Sequence, residues 1–181
     1  MTESAELLPL SVPYRELIVE QDLVLKQLEI NQAEKLFELT EQNRTYLSQW
    51  LPWPERTQST SDSREFIETM IAKRTSGEEY GYGIELEGKL VGHISLMHLK
   101  DDHDAEIGYW LASSAAGKGV TTKAAARLSQ FGFEALGLER IVIRANPDNI
   151  GSNKVAEKIG YSRVSQVVHE AELLNVWEMT R

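Results

Sequence analysis

Ala105-Glu-Ile-Gly-Tyr-Trp-Leu-Ala-Ser-Ser-Ala-Ala-Gly-Lys-Gly-Val-Thr-Thr-Lys123 changes character twice along its length. Its first part, Glu106 to Leu111, carries the β-branched and aromatic content of a buried strand. Small residues follow, then a Gly117-Lys118-Gly119 turn. From Val120 the residues Thr121, Thr122, Ala124, Ala125, Leu128 and Phe131 recur at spacings that keep one face of a helix apolar. A strand, a glycine turn and a helix start leave backbone N–H groups unpaired at the positive end of the helix dipole, where a phosphate can sit. A plain strand-to-helix turn would read the same way, so the stretch has to be judged by its surroundings.

The chain has 181 residues, 41% hydrophobic and 26% charged, which predicts one globular domain with a sizeable core. No run approaches the roughly 18 apolar residues of a membrane span. The N-terminus, with Glu3 and Glu6, lacks a basic-then-apolar leader, so no membrane association and a cytoplasmic address are expected. There is no cysteine, which excludes disulfides, thiolate metal sites and a cysteine nucleophile. A net charge of −9 argues against direct nucleic-acid binding. The histidines His93, His98, His103 and His169 share no metal-ligand spacing, and no metal site is expected.

Upstream, residues 1–15 read as a loose lead-in and Leu23–Leu28 as the first strand. Asn31 is placed to cap a helix carrying Ala33, Leu36 and Phe37 and ending near Asn43. Tyr46, Leu47, Trp50, Leu51 and Trp53 then crowd together around Pro52 and Pro54, either as a loop packed on the core or as the wall of a substrate groove. A second helix starts at Ser59–Asp62, with Asp62 and Glu65 at capping-box spacing and Phe66, Ile67, Met70 and Ile71 as its buried stripe, and stops at Gly77. Tyr80–Leu86, Glu87-Gly88 and Lys89–Leu99 form a hairpin, and Lys100–Asp104 turns the chain into the strand at Glu106. The helix after the glycine turn runs to about Leu136.

Downstream, Arg140–Ala145 is expected to lie parallel to the Glu106 strand, because a helix crosses between them. Asn146–Asn149 is a turn, a short helix with Val155, Ala156 and Ile159 ends at Gly160, and Tyr161–His169 and Val176–Thr180 close the sheet. The fold class is mixed α/β. Two nucleotide motifs fail on spacing. A Walker loop needs four residues between its first glycine and Gly-Lys-Ser/Thr, and a dinucleotide fingerprint would need glycine at Thr122.

Four ordered motifs carry a resemblance: 105–111, Gly117–Gly119, Asn149 through Tyr161, and Asn43 through Pro54. Together they resemble the GNAT superfamily of N-acetyltransferases, from about Leu23 to the C-terminus. The fourth is similar to the signature of its RimL/RimJ-like branch, whose members acetylate the N-terminal serine or alanine of ribosomal proteins. The resemblance implies a mostly antiparallel sheet, splayed between the fourth and fifth expected strands at 105–111 and 140–145, with helices on its faces. It implies one acetyltransferase domain over 1–181. Acetyl-CoA would enter the splay as cosubstrate, against Trp110, Leu111, Ala112, Gly117, Lys118, Gly119, Val120, Thr121, Thr122, Asn149 and Ser152.

The acceptor, a protein N-terminus, would lie against Tyr46, Trp50, Trp53 and Tyr109. An oxyanion donor is expected from a backbone N–H near Leu111. Glu172 matches the position of the branch's base, Glu106 is a second candidate for it, and Ser152 matches the serine that serves the leaving thiolate. Two departures stand out. Ala116 and Thr121 replace the usual residues of the phosphate turn, which implies altered cofactor affinity, and Ala156 replaces a tyrosine found in many members. Acetylation of a small amine (an antibiotic, aminoacyl nucleotide or polyamine) and acyl-CoA binding without catalysis remain the alternatives, and a homodimer is allowed.

Overall fold

The computed structural model describes residues 14–100 and 104–181, so residues 101–103 of the expected turn, with His103, and residues 1–13 of the expected lead-in lie outside the described residues. Among the described residues eight strands form one sheet. They are β1 (Glu16–Glu20), β2 (Leu23–Lys26), β3 (Tyr80–Leu86), β4 (Lys89–Met97), β5 (Ala105–Leu111), β6 (Arg140–Ala145), β7 (Ser162–His169) and β8 (Glu172–Thr180). Among the described residues four α-helices accompany them: α1 (Ala33–Ser48), α2 (Thr60–Ser76), α3 (Val120–Glu134) and α4 (Ile150–Lys158). The strand order is β1-β2-β3-β4-β5-β6-β8-β7, antiparallel except where β5 meets β6.

Strand β3 shows how its sequence sorts the two faces. In Tyr80-Gly-Tyr82-Gly-Ile84 the large residues point one way, into a core shared with Leu128 and Phe131 of α3. Each fully buried leucine or isoleucine in that core contributes ~2 kcal/mol. The opposite face belongs to α1 and α2, which enclose a smaller cluster of Leu28, Ala33, Leu36 and Ile67 with Trp110 at its edge. Helix α4 packs beside α3 and reaches β6, β7 and β8. No helix among the described residues is long and apolar enough to cross a membrane.

Several local expectations are corrected. An edge strand, β1, precedes the expected first strand, which itself ends at Lys26. Tyr14 is anchored rather than loose: its carbonyl accepts from Arg74 and the Tyr82 hydroxyl, and its ring meets Phe131 edge-on. Asn31 lies inside a 3-10 turn, Ile30–Gln32, capped reciprocally by Glu29 and Gln32, and does not cap α1. Helix α1 continues past Asn43 to Ser48, because the prolines that would stop it begin only at Pro52.

The capping box of α2 is Ser59 with Asp62, three residues before the expected pair, and Phe66 is 37% exposed instead of buried. Helix α3 ends at Glu134, two residues before Leu136. Strand β8 starts at Glu172 rather than Val176, since a tight Glu170-Ala171 turn, both residues at positive φ, folds it directly onto β7.

Candidate active site

The sheet opens along one seam. Strands β5 and β6 pair only at Ala105↔Ile141 and Glu106↔Val142. Beyond Glu106, β5 follows β4 as far as Gly92↔Leu111, while β6 follows β8 to Ala145↔Asn175. The amide of Ala112 donates to Val91 O at 2.7 Å. Alternation along an antiparallel ladder therefore turns the N–H groups of Tyr109 and Leu111 away from β4, toward the side where β6 has left. Backbone donors face an open cleft there.

At the far end of the cleft stands the start of α3. Gly119 is its N-cap in the left-handed region, φ +74, with no side-chain cap. The first helical N–H groups, at Val120, Thr121 and Thr122, thus have no intrahelical acceptor and point into the same space. A cavity of about 340 Å³ runs from this turn along β5 to the aromatic segment. From the expected set it is lined by Tyr46, Trp50, Tyr109, Trp110, Leu111, Gly117, Gly119, Val120, Thr121, Thr122, Asn149 and Ser152.

The remaining expected residues stand off the lining. Ala112 is buried and bonded toward β4, and Lys118 is exposed in the turn. Trp53 packs against Trp110 with ring centroids 5.5 Å apart and planes inclined by 50°, and is not part of the lining. Glu106 is engaged by Arg144, Nη1 to Oε2 at 2.5 Å. Glu172 opens β8 and accepts from Asn146 Nδ2 at 2.8 Å, which ties it to the turn before α4. The two candidate bases thus lie on different strands, and neither lines the cavity.

Sequence reasoning missed Gly151, Lys154, Val155 and Lys158, which present one face of α4 to the cavity. Their spacing of three, four and seven residues is a helical stripe, so the signal was available once Asn149 was read as the N-cap. The two lysines bring positive charge to a cleft in a protein of net charge −9. Leu47 and Leu51 were placed in the aromatic segment but not in the cavity wall, where they stand. That wall is fixed at both ends. Asn43 Oδ1 accepts from Ser113 N at 2.9 Å, and Arg44 donates to the carbonyls of Pro54 and Thr57.

The hydroxyl chemistry sits at the start of α4. Asn149 Oδ1 accepts from Ser152 N at 3.2 Å, and Ser152 Oγ lies 3.0 Å from the Tyr109 hydroxyl. Burial pushes the Tyr109 phenol up to about 12. Among the described residues no group of three or more His, Cys, Asp or Glu could hold a metal ion.

Residues 22–162 match the model of the acetyltransferase (GNAT) domain family, more than half of the chain. The chain belongs to the GNAT acetyltransferases. Within this family it is 32% identical over 158 residues to the ribosomal-protein-serine acetyltransferase of Escherichia coli (strain K12), covering 87% of this chain and 88% of that protein. It is 37% identical over 148 residues, 79% of each chain, to YdaF of Bacillus subtilis (strain 168), whose own assignment as a ribosomal N-acetyltransferase is provisional. Among solved structures, the microcin C7 self-immunity acetyltransferase MccE, in complex with acetyl-CoA and AMP, superposes with a TM-score of 0.85 at 27% identity, over 90% of this chain and 94% of that one. The splay between β5 and β6 and the bare N-terminus of α3 are the features this acetyltransferase fold was expected to bring.

Proposed function

We propose that the protein transfers the acetyl group of acetyl-CoA to the α-amine of a protein N-terminal serine or alanine, by direct attack on the thioester. The observation that carries this reading is the run of free backbone N–H groups lining the splay, at Leu111 on one side and Val120 to Thr122 on the other. The relative of stated serine specificity, aligned over 87% of the chain, supports the acceptor class. The reading treats 1–181 as one acetyltransferase domain and goes with a cytoplasmic address.

In this reading the cofactor pyrophosphate lies on the amides of the Gly117–Thr122 segment, with Lys154 and Lys158 beside it. The thioester carbonyl points at Leu111 N–H, which meets the negative charge that grows on oxygen as the amine attacks. Asn149 holds the start of α4, and Ser152 gives a hydrogen bond to the departing sulfur. Tyr46 and Trp50 border the acceptor, and Trp53 supports that wall through Trp110. An α-amine titrates near pH 8, so Glu172, which stands off the cavity lining, needs to take up only one proton, through water.

The test is incubation with labelled acetyl-CoA and a panel of peptides beginning with serine, alanine or other residues, alongside polyamines and aminoacyl nucleotides. Label on the α-nitrogen of serine or alanine peptides is the expected result. Label on the small amines alone would overturn the acceptor class, and acetyl-CoA binding without any transfer would overturn catalysis.

A further inference from the structure

Tyr109 reaches the cleft from β5, and its hydroxyl touches Ser152 twice: Oγ at 3.0 Å and the carbonyl oxygen at 3.1 Å. Burial keeps the phenol protonated at neutral pH, so it has one proton for two acceptors. A carbonyl can only accept. When the phenol donates to the carbonyl, Ser152 donates to the phenol oxygen and its own proton is turned away from the cleft. When the phenol donates to Ser152 Oγ, the serine proton is released toward the cleft. The two arrangements differ only in hydroxyl rotation. Ala156, one turn further along α4, is fully buried and carries no hydroxyl. Tyr109 is thus the side chain bonded to Ser152 Oγ among the described residues.

We propose that Tyr109 is a positioning residue for acetyl transfer, directing the Ser152 hydroxyl toward the leaving sulfur by moving its own hydrogen bond from the Ser152 carbonyl to Ser152 Oγ. This rests on the reading above, in which Ser152 serves the thiolate. The amine nitrogen bonds to the thioester carbon, the C–S bond breaks, and its electron pair goes to sulfur. Ser152 donates a hydrogen bond to that sulfur while Tyr109 donates to Ser152, each bond strengthening the other. The proton lost by the amine passes through the base or water and finally protonates the thiolate. Tyr109 keeps its proton throughout.

The experiment is a double-mutant cycle on the full chain with Tyr109→Phe and Ser152→Ala, reading kcat, both KM values and the acetyl-CoA Kd by calorimetry. Tyr109→Phe is expected to lower kcat about tenfold with Kd and KM within about twofold of wild type, and to change kcat by less than about twofold once Ser152 is alanine. Equal effects of Tyr109→Phe in both backgrounds, an effect on KM alone, or no effect of Ser152→Ala would overturn the proposal and leave the acetyltransferase reading standing. A wild-type chain that transfers no acetyl group would remove that reading and the proposal with it. A fluorinated tyrosine at position 109 keeps the ring and lowers the phenol's pKa. With the pKa lowered from about 12, its kcat is expected to fall at alkaline pH where wild type, whose phenol stays protonated, does not. A fluorinated variant as active as wild type at a pH where absorbance shows its phenol ionised would contradict the proposal even if Tyr109→Phe failed to fold.

Discussion

The indole Nε1–H of Trp177 donates to Asn153 Oδ1 at 2.8 Å, and this bond joins the last strand to the helix that walls the cleft. Asn153 uses its whole hydrogen-bonding capacity there. Its Oδ1 also accepts from Asn175 at 2.9 Å, and its Nδ2 donates to the carbonyls of Asn146 and Asn149 at 2.9 and 2.8 Å. Strand β8 thereby fixes the turn that carries Asn149 and, through Asn146, the position of Glu172.

Asn153→Ala leaves an indole, an amide and two carbonyls without these partners at once. A loss of about 3 kcal/mol in urea unfolding is expected, with weaker acetyl-CoA binding because α4 is no longer held. Asn153→Asp keeps the acceptor for Trp177 and Asn175 but sets a carboxylate oxygen against the Asn146 and Asn149 carbonyls, so it too should be less stable than wild type. A stability equal to wild type for the alanine variant would show that β8 does not hold the turn.

Gly92 lies across from Leu111, and a Cβ there would come within 2.2 Å of the Trp110 carbonyl oxygen. Backbone cannot swing aside as a side-chain tip can. Gly92→Ala is therefore expected to cost about 2 kcal/mol or more and to displace the segment presenting Leu111 N–H. The check is a urea unfolding curve together with kcat/KM, both of which should drop. A variant as active and stable as wild type would rule out so close an approach.

His93 is buried, its Nε2 has no hydrogen-bond partner among the described residues, and burial, with Arg74 adding repulsion, lowers its pKa from 6.5 to about 4. The folded state thus resists a proton that the unfolded chain accepts. The stabilisation it gives is present above pH 6.5 and is lost as pH falls toward 4, by about 3 kcal/mol in all. His93→Leu should unfold with a shallower dependence on pH across that window than wild type. Parallel curves for the two proteins would mean that His93 is not the group responsible.

Glu172 and Glu106 separate by the same kind of comparison. Arg144 occupies Oε2 of Glu106, whereas Glu172 is exposed and its Oε1 accepts from Asn146. Glu172→Gln is expected to lower kcat about tenfold and to alter its pH profile. An unchanged profile would transfer the role of base to Glu106.

How legible the molecule was follows from how local each signal is. The β5–glycine turn–α3 unit could be read because strand composition, a positive-φ glycine and helical spacing all lie within a short window. The parallel pairing of β5 with β6 followed from the crossing helix. Strand β1 was hidden because Glu16–Glu20 is a short edge strand with an irregular register at Ile18 to Glu20, which weakens alternation. The extent of α1 was masked by Tyr46 and Trp50, whose cover is tertiary.

Within the site, the glycine turn, Asn149 and Ser152 were visible as motif residues, and Lys154 and Lys158 were recoverable from helical spacing. The bonds of Asn153 to Asn175 and Trp177, and the lack of room for a Cβ at Gly92 beside the Trp110 carbonyl, were not. They depend on which strand lies beside which, and no local pattern encodes that.

The central claim, that the cleft between β5 and β6 is built for acetyl-CoA, is tested most directly by titrating acetyl-CoA into the protein in a calorimeter. The account predicts saturable binding of one acetyl-CoA per chain, retained when a serine-initiated peptide is absent. No binding of acetyl-CoA or CoA at any accessible concentration would contradict it.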